Sequence, residues 1–591
     1  MRYLFIEPKA PGQHIFSRIP IPRLGNVLLA TILARHGYEC RVLVEEVRPV
    51  RTEDIAWADV VGISSTTTTA PAAYAWADLA RAAGKIVVMG GPHVSFLADE
   101  ALEHSDYVVR GEGDEAMLEL AQALGGTRDP ASIGGLSYRA AGAVRHNPSR
   151  PFLQDLDPLP TPDFSLVEGW SPRRVLPLST SRGCPFQCRF CSVIPMFGTR
   201  YRFHSVGRVL DDLARAAASS RHVFVCDDNF AADKKRARAI CQGMLDRGIR
   251  VQWSAQVRAD CARDTELVDL MARAGCWYVY IGFESLNPHT LESFGKRQTV
   301  DDIRHAVEAF RGRGIRIHGM FVLGADQDDR RSIRETARFA RRARIDSVQF
   351  LILTPTPGTP IHDEMAAAGR LLTRDWALYD AHHVVYEPLQ LTPDELQREA
   401  ERASARFYSL GSVLRGAARL DLFDMGLKLY AWGAARRLQR GKAPFLQNLR
   451  AGVLKGAQDL RQVLPARARL IALPTAGLPE GDRRFLVKFM TGLNIRPIEV
   501  PLAAERLWEH PAALAQRVDV VLLPLSNEPD GHFGGLQRFG WAWGARGEGH
   551  AFLGLPLHRD RLYRACIEAG LALGRSLRRV RRAYRRATGE G

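Results

Sequence analysis

Three cysteines within eight residues are the strongest chemical signal in this 591-residue sequence. Cys184, Cys188 and Cys191 have the spacing C-x₃-C-x₂-C and directly follow a predicted strand. Thiolates this close together are typical ligands of a metal ion or an iron–sulfur cluster. Zinc usually takes four ligands, and no fourth Cys or His lies nearby at zinc spacing. A [4Fe–4S] cube on three thiolates would leave one iron open, while a zinc site and buried structural cysteines remain alternatives.

Polar side chains follow the strands predicted after the cysteine motif. Arginine can bind a carboxylate through two parallel hydrogen bonds, and acid or amide groups suit an ammonium group or a ribose. Each residue alone is a weak signal because an acidic strand end is often the N-cap of the next helix. Together and in this order they favour one ligand site. The candidates are Asp228, Gln256, Arg258, Glu284 and Ser285.

A strand-and-helix rhythm from Val175 to about Pro360 must position these groups. Six short apolar strands alternating with helices predict a partial (β/α) barrel, in which chemistry lies at the carboxyl ends of the strands. The predicted strands are Leu176–Ser179, His222–Cys226, Gln252–Ala255, Tyr278–Phe283, Ile317–Leu323 and Gln349–Leu353.

The first 140 residues have the same rhythm and predict a doubly wound parallel sheet of α/β class. We expect a proline-rich linker at 141–174, the barrel at 175–385, a helical region at 386–465 and a smaller α/β module at 466–591. The strands predicted in that last module are Leu470–Leu473, Pro497–Val500, Val518–Leu523 and Ala551–Leu555.

Composition excludes several classes of protein. An apolar fraction of 46% is ordinary for a globular protein. The sequence contains no run of about 18 uncharged apolar residues, so a membrane-spanning helix is not predicted. Nine cysteines and no export signal at the start predict a cytoplasmic protein without a disulfide framework. The net charge of +16 favours an anionic partner. Arg575–Arg586 is compatible with a solvated tail, with contact with an anionic membrane surface, or with contact with RNA.

The cysteine motif, with an aromatic residue before its last cysteine, resembles that of the radical S-adenosylmethionine superfamily. The resemblance implies that Cys184, Cys188 and Cys191 hold a [4Fe–4S] cluster whose open iron binds S-adenosylmethionine. One electron would then cleave this molecule to a 5′-deoxyadenosyl radical. The resemblance also implies that Phe190 lies near the adenine and that the strand-end candidates bind the rest of the cofactor.

The N-terminal domain resembles the cobalamin-binding module that precedes the barrel in one branch of that superfamily. Parallel sheets bind ligands at the carboxyl ends of their strands, where bare backbone permits close approach. The loop after Val44 has no D-x-H-x-x-G motif, so cobalt is expected without a protein ligand. A domain that has lost cobalamin is the alternative. The implied cobalamin contacts are Ser64, Thr66, Gly90, Gly91 and Glu112.

The segment Gly111–Ala116 also matches G-x-G-x-x-A, a pattern of dinucleotide-binding loops. Its three acidic side chains would repel a pyrophosphate at a helix N-terminus. We therefore predict a loop at a domain interface instead.

The resemblance implies methylation of an unactivated carbon in a small-molecule substrate, either a lipid or isoprenoid or a tetrapyrrole. Radical cyclisation or oxidative rearrangement, as in the anaerobic cyclase of chlorophyll synthesis, is the alternative. A non-catalytic cobalamin-binding regulator is a second alternative. A flavodoxin or ferredoxin is expected to supply the electron. A nucleic-acid partner is not expected, because no basic surface interleaved with aromatic residues is evident.

Overall fold

A computed structural model describes residues 1–10, 21–140, 142–173, 175–418 and 421–450, together with five strands between residues 470 and 556. The chain divides into two compact units. The first comprises Met1–Arg370 and Asp375–Leu438, and the second comprises Leu371–Arg374 and Gln439–Gly591.

The N-terminal domain is a seven-stranded sheet in the order β2-β1-β3-β4-β5-β6-β7. Strands β1 to β5 are parallel, as predicted, whereas β6 and β7 form an antiparallel hairpin at one edge. This hairpin was not predicted, and it extends the sheet to His146, inside the stretch expected to be a linker. The strands are Arg2–Glu7 (β1), Glu39–Val44 (β2), Val60–Ser64 (β3), Ile86–Gly90 (β4), Tyr107–Val109 (β5), Leu136–Ala140 (β6) and Ala143–His146 (β7).

Six helices accompany this sheet, and apolar side chains from the helices and strands form its core. The parallel order 2-1-3-4-5 changes direction between β1 and β3, and sheets of this type bind ligands at such a point. The helices are Leu24–Arg35 (α1), Thr52–Trp57 (α2), Ala70–Ala82 (α3), Pro92–Phe96 (α4), Ala98–Ala101 (α5) and Asp114–Leu124 (α6).

The second sheet confirms the predicted partial barrel. Its six strands are all parallel, in the order β8-β11-β12-β13-β14-β15. A separate antiparallel pair, β9 and β10, lies outside this sheet. The strands are Leu176–Leu178 (β8), Ser181–Arg182 (β9), Arg202–Phe203 (β10), His222–Val225 (β11), Gln252–Val257 (β12), Cys276–Glu284 (β13), Arg316–Leu323 (β14) and Ser347–Ile352 (β15).

The helices of the barrel region, except Val193–Phe197, begin at side-chain caps, which satisfy N–H groups at the helix start. The capping residues are Ser205, Asp233, Asp264, Asn287, Thr299, Asp329 and Thr359. The helices of this region are Val193–Phe197 (α7), Val206–Ser219 (α8), Lys234–Asp246 (α9), Thr265–Arg273 (α10), Pro288–Ser293 (α11), Val300–Gly312 (α12), Arg330–Arg342 (α13) and Pro360–Ala367 (α14).

The predicted helical region contains Pro393–Phe407 (α15), Leu410–Ala418 (α16) and Leu422–Arg450 (α17). Among the described residues, no helix is both long and apolar enough to cross a membrane. Within the described part of the C-terminal unit, five strands form a sheet: Leu470–Pro474 (β16), Arg496–Val500 (β17), Val520–Pro524 (β18), Arg538–Ala542 (β19) and Leu555–Pro556 (β20). Strand β19 was not predicted. Residues 551–554 of the last predicted strand and the tail Arg575–Arg586 lie outside the described residues.

A buried histidine makes the fold sensitive to acid. Burial lowers the pKa of His318 from 6.5 to about 4, and its Nδ1 lies 2.6 Å from Ser347 Oγ. Between pH 6.5 and about 4, His318 is protonated in the unfolded chain but neutral in the folded protein. Lowering the pH from 6.5 to 5 should therefore reduce the free energy of unfolding by about 2 kcal/mol through this group.

Denaturant titrations of the wild type and the His318→Gln variant at both pH values measure this contribution. We expect the wild type to lose more stability on acidification than the variant. Equal losses would contradict this role for His318.

Candidate active site

The three cysteines lie on one loop between β9 and β10. The backbone N–H of Cys191 donates to Cys188 O at 3.1 Å, and all three cysteines are free thiols. Gly183 precedes the first cysteine with φ +82°, and a Cβ atom there would lie 2.6 Å from Arg200 O. Glycine is therefore required where the two ends of the loop cross.

Burial disfavours the thiolate form of the cysteines in this loop when no positively charged group is bound. Burial raises the pKa of Cys191 to about 12 and also raises the pKa of Cys184. A bound cation favours the thiolate form and offsets this desolvation. Among the described residues, no three His, Cys, Asp or Glu side chains lie close enough to ligate one metal ion. A [4Fe–4S] cube differs, because each thiolate binds a separate iron.

Arg258 lies against the cysteine loop. Its guanidinium is 3.8 Å from the ring centre of Phe186, a residue of the loop itself, and its Nη2 donates to Arg297 O at 3.4 Å. The side chain is buried, so an anionic ligand here would interact with a poorly solvated cation. The structure thus places Arg258 beside the cysteine loop, and its role in binding a carboxylate stays a prediction.

The segment after α11 connects the cysteine loop to the end of β13. Arg189 N donates to Phe294 O at 3.1 Å, and the Phe294 ring packs edge-on against predicted Phe190 with 4.9 Å between ring centres. Two residues further on, Lys296 Nζ lies 2.5 Å from Glu284 Oε1. The structure thus places Phe190 and Glu284 on two sides of one short segment.

Glu284 has an unusual backbone. Its φ is 60°, a left-handed value that is uncommon outside glycine, and the β13–β14 register shifts at this point. Gly282 leaves room for the carboxylate, since a Cβ there would lie 2.4 Å from Glu284 Oε1. Strain of this kind persists where the surrounding structure fixes it, and it is common at binding sites. Ser285 follows, with its Oγ accepting from Asn287 N at 3.0 Å.

Gln298 is a further polar group at this position, and it was not predicted from the sequence. Its Nε2 donates to Phe283 O at 2.8 Å, and its Oε1 is buried with no hydrogen-bond partner. Buried polar atoms are nearly always satisfied. A free acceptor beside Glu284 is therefore consistent with a ligand that donates a hydrogen bond here.

Two adjacent acids at the end of β11 have different roles. Asp227 is fully enclosed and accepts from Thr180 N at 2.6 Å and Ser181 N at 3.1 Å, which fixes the chain leading into the cysteine loop. Asp228, the predicted ligand group, faces a cavity, and burial by the surrounding protein together with the Asp227 charge raises its pKa to about 7. Predicted Gln256 lies nearby, with Nε2 3.4 Å from Asp227 O.

A cavity of about 800 Å³ lies between the carboxyl edge of the N-terminal sheet and the barrel. All five predicted cobalamin contacts line it, namely Ser64, Thr66, Gly90, Gly91 and Glu112. The barrel side contributes Leu178, Met196, Phe197, Phe224, Cys226 and Asp228. Gly91 has φ +99°, and a Cβ there would lie 2.6 Å from Ser65 O. At Gly90 and Gly91 the sheet edge therefore has no side chains, and a flat ligand can approach the backbone there.

Glu112 contacts the barrel domain as well as lining the cavity. Its carboxylate lies 2.8 Å from Arg202 Nη2 and 3.2 Å from Arg182 Nη1. The loop of Gly111–Ala116 thus lies at a domain interface, as the sequence analysis predicted. A cobalamin contact through Glu112 stays a prediction.

Comparison with known families identifies both parts of this site. The Radical SAM superfamily matches residues 178–340, and the B12 binding domain family matches residues 19–121. These ranges include the cysteine loop with β9 to β14, and the sheet edge that lines the cavity.

Two relatives extend the comparison to nearly their full length. An uncharacterized methyltransferase of Pyrococcus horikoshii is 34% identical over 412 residues, covering 66% of this chain and 89% of the relative. The hopanoid C-3 methylase of Methylococcus capsulatus is 28% identical over 528 residues, covering 82% of this chain and 90% of that enzyme.

A solved structure has the same fold. The radical S-adenosylmethionine methyltransferase TsrM of Kitasatospora setae, with cobalamin and a [4Fe–4S] cluster bound, matches with a TM-score of 0.57. The match has 19% sequence identity and covers 75% of this chain and 99% of that chain. The arrangement of an N-terminal sheet followed by a partial barrel is therefore common to both proteins.

Proposed function

Because the chain belongs to the radical S-adenosylmethionine family with a B12-binding domain, we propose that it methylates an unactivated carbon of an isoprenoid lipid. The family's cofactors are a [4Fe–4S] cluster, S-adenosylmethionine and cobalamin. Together they supply a carbon radical able to abstract hydrogen, and a methyl group to replace that hydrogen. The observation that carries the proposal is the single cavity bounded by both the B12-binding sheet edge and the barrel.

The chain's own residues would divide this work between two surfaces. Cys184, Cys188 and Cys191 would hold the cluster. Arg258 would bind the carboxylate of S-adenosylmethionine, since its side chain is buried beside the cysteine loop. Glu284 would bind the hydroxyl groups, since its side chain is buried beside Lys296, which follows the segment that contacts this loop. Arginine is suited to the carboxylate because it can donate two parallel hydrogen bonds.

The N-terminal sheet edge would hold cobalamin over the barrel mouth. Gly90 and Gly91 offer bare backbone, and Ser64 and Thr66 offer small hydroxyl groups on the adjoining strand and loop. The walls of both domains would exclude water, which protects a reactive radical from side reactions.

An isoprenoid lipid fits the cavity better than a strongly polar substrate does. Much of the barrel side of the wall consists of apolar side chains, including Leu178, Met196, Phe197 and Phe224, and apolar pockets favour apolar ligands. The hopanoid methylase match supports the same class. Since that match covers 82% of the chain, it necessarily extends beyond residue 470, into the region that follows the barrel and helices.

The test supplies the reconstituted enzyme with reductant, S-adenosylmethionine carrying a CD₃ group, and either isoprenoid lipids or magnesium tetrapyrroles. We expect mass spectrometry to find one CD₃ group in place of one hydrogen in a lipid. Label in a tetrapyrrole would overturn the lipid assignment. A ring-closed product without label would favour radical cyclisation over methyl transfer.

The source of the electron and any membrane contact belong to the same proposal. An external flavodoxin or ferredoxin would reduce the cluster, because the cysteine triad is the one closely spaced cysteine group in the sequence. Contact of Arg575–Arg586 with an anionic membrane surface would suit a lipid substrate.

A further inference from the structure

Two arginines lie directly opposite each other at the base of the cysteine loop. In the antiparallel pair β9–β10, Arg182 is the register partner of Arg202. Like charges directly opposite across such a pair destabilise it, and the Arg202 side chain is only 2% exposed. The base of the loop therefore requires a negative charge from elsewhere.

The N-terminal domain supplies that charge. Glu112 lies between the two guanidiniums, 2.8 Å from Arg202 Nη2 and 3.2 Å from Arg182 Nη1. Asp114 accepts from both terminal nitrogens of Arg182, at 2.6 and 3.0 Å. Both carboxylates are nearly inaccessible to solvent, so the charges interact strongly. We call Glu112, Asp114, Arg182 and Arg202 the ion-pair clamp.

The same acidic loop forms part of the cavity wall. Glu112 and Asp114 follow β5, and both line the cavity with Gly90 and Gly91. Arg182, at the other end of the clamp, is two residues before Cys184. We infer that Glu112 and Asp114 are positioning residues that fix the cysteine loop relative to the B12-binding sheet edge.

This inference rests on the proposed function in one respect. Methyl transfer requires the groups held by the cysteine loop and those held by the B12-binding sheet edge to reach the same substrate carbon. Cleavage of S-adenosylmethionine needs the cysteine loop and its neighbours alone. Misplacement of reacting groups by about 1 Å can cost about a hundredfold in rate. Weakening the ion-pair clamp should therefore reduce methyl transfer while cleavage of S-adenosylmethionine continues.

Hydrogen–deuterium exchange of the full-length chain, purified without cofactors, tests the clamp independently of turnover. Glu112→Gln places a neutral amide between two cations, and Asp114→Asn removes the charge that faces Arg182 with little change in shape. Glu119→Gln is the matched control, because Glu119 lies on α6, the helix that begins at Asp114, but pairs with Arg128 and Arg150. We expect faster exchange in peptides covering 181–204 in the first two variants only. Unchanged exchange in both would overturn the inference.

Turnover of the reconstituted variants gives a second readout. We expect Asp114→Asn to bind as much iron and cobalamin as the wild type, while its ratio of 5′-deoxyadenosine to methylated product rises about tenfold. Loss of cobalamin from Glu112→Gln without faster exchange would make Glu112 a ligand contact and overturn the positioning role. If the wild type makes no methylated product, the proposed function fails, and hydrogen exchange still decides the clamp.

Discussion

Replacing Cys188 by alanine is expected to reduce the iron content of anaerobically reconstituted protein to background. The cysteine loop offers three thiols, and two cannot hold a cube that needs at least three protein ligands with one iron left for S-adenosylmethionine. Cys184→Ala and Cys191→Ala should have the same effect. Iron analysis and the visible absorption spectrum of each variant measure the loss.

Cys241→Ala is the matched control for these variants. Cys241 is buried on α9, in the same barrel domain but away from the loop. It should keep the wild-type iron content despite a modest loss of stability from the cavity it creates. Full iron content in Cys188→Ala would show that the cluster is held by other residues.

Replacing Lys296 by methionine is expected to lower the free energy of unfolding by about 3–5 kcal/mol. The change leaves the carboxylate of Glu284 buried without its partner, since the side chains of the pair are 7% and 8% exposed. The strained backbone of Glu284 should then relax, and affinity for S-adenosylmethionine should fall with it. Denaturant titration and equilibrium dialysis of the reconstituted protein measure the two losses.

A double-mutant cycle separates the ion pair from other effects of the substitution. Lys296→Met combined with Glu284→Gln removes the unpaired charge and should recover part of the lost stability, but not the affinity. Lys235→Met, at an exposed position on α9, should change the free energy of unfolding by less than about 0.5 kcal/mol. Additive losses in the double variant would contradict the buried ion pair.

The strands of both parallel sheets could be predicted from sequence because each is a short apolar run between amphipathic helices. All six predicted barrel strands are found, and their ends differ by at most two residues, as for Cys276–Glu284 against Tyr278–Phe283. The edge hairpin Leu136–His146 was missed. Its second strand is largely exposed, so it lacks the continuous apolar run that identified the buried strands.

The cysteine triad and the glycine-rich sheet edge were predictable because their chemistry is encoded locally. The groups that support them are not. Lys296 reaches Glu284 from a loop twelve residues further along the chain, and Arg202 becomes the register partner of Arg182 only when β9 and β10 pair. Of two adjacent acids, only Asp228 was predicted as a ligand group, and it faces the cavity. The enclosure of Asp227, which fixes the chain leading into the cysteine loop, was not predicted.

The most direct test of the account measures 5′-deoxyadenosine formed from S-adenosylmethionine by the reconstituted, chemically reduced wild type with a deuterated isoprenoid lipid. The account predicts 5′-deoxyadenosine that carries deuterium from the lipid, and none from the Cys188→Ala variant. Absence of 5′-deoxyadenosine from a wild-type sample with full iron content would contradict the central claim that this cysteine loop supports radical chemistry.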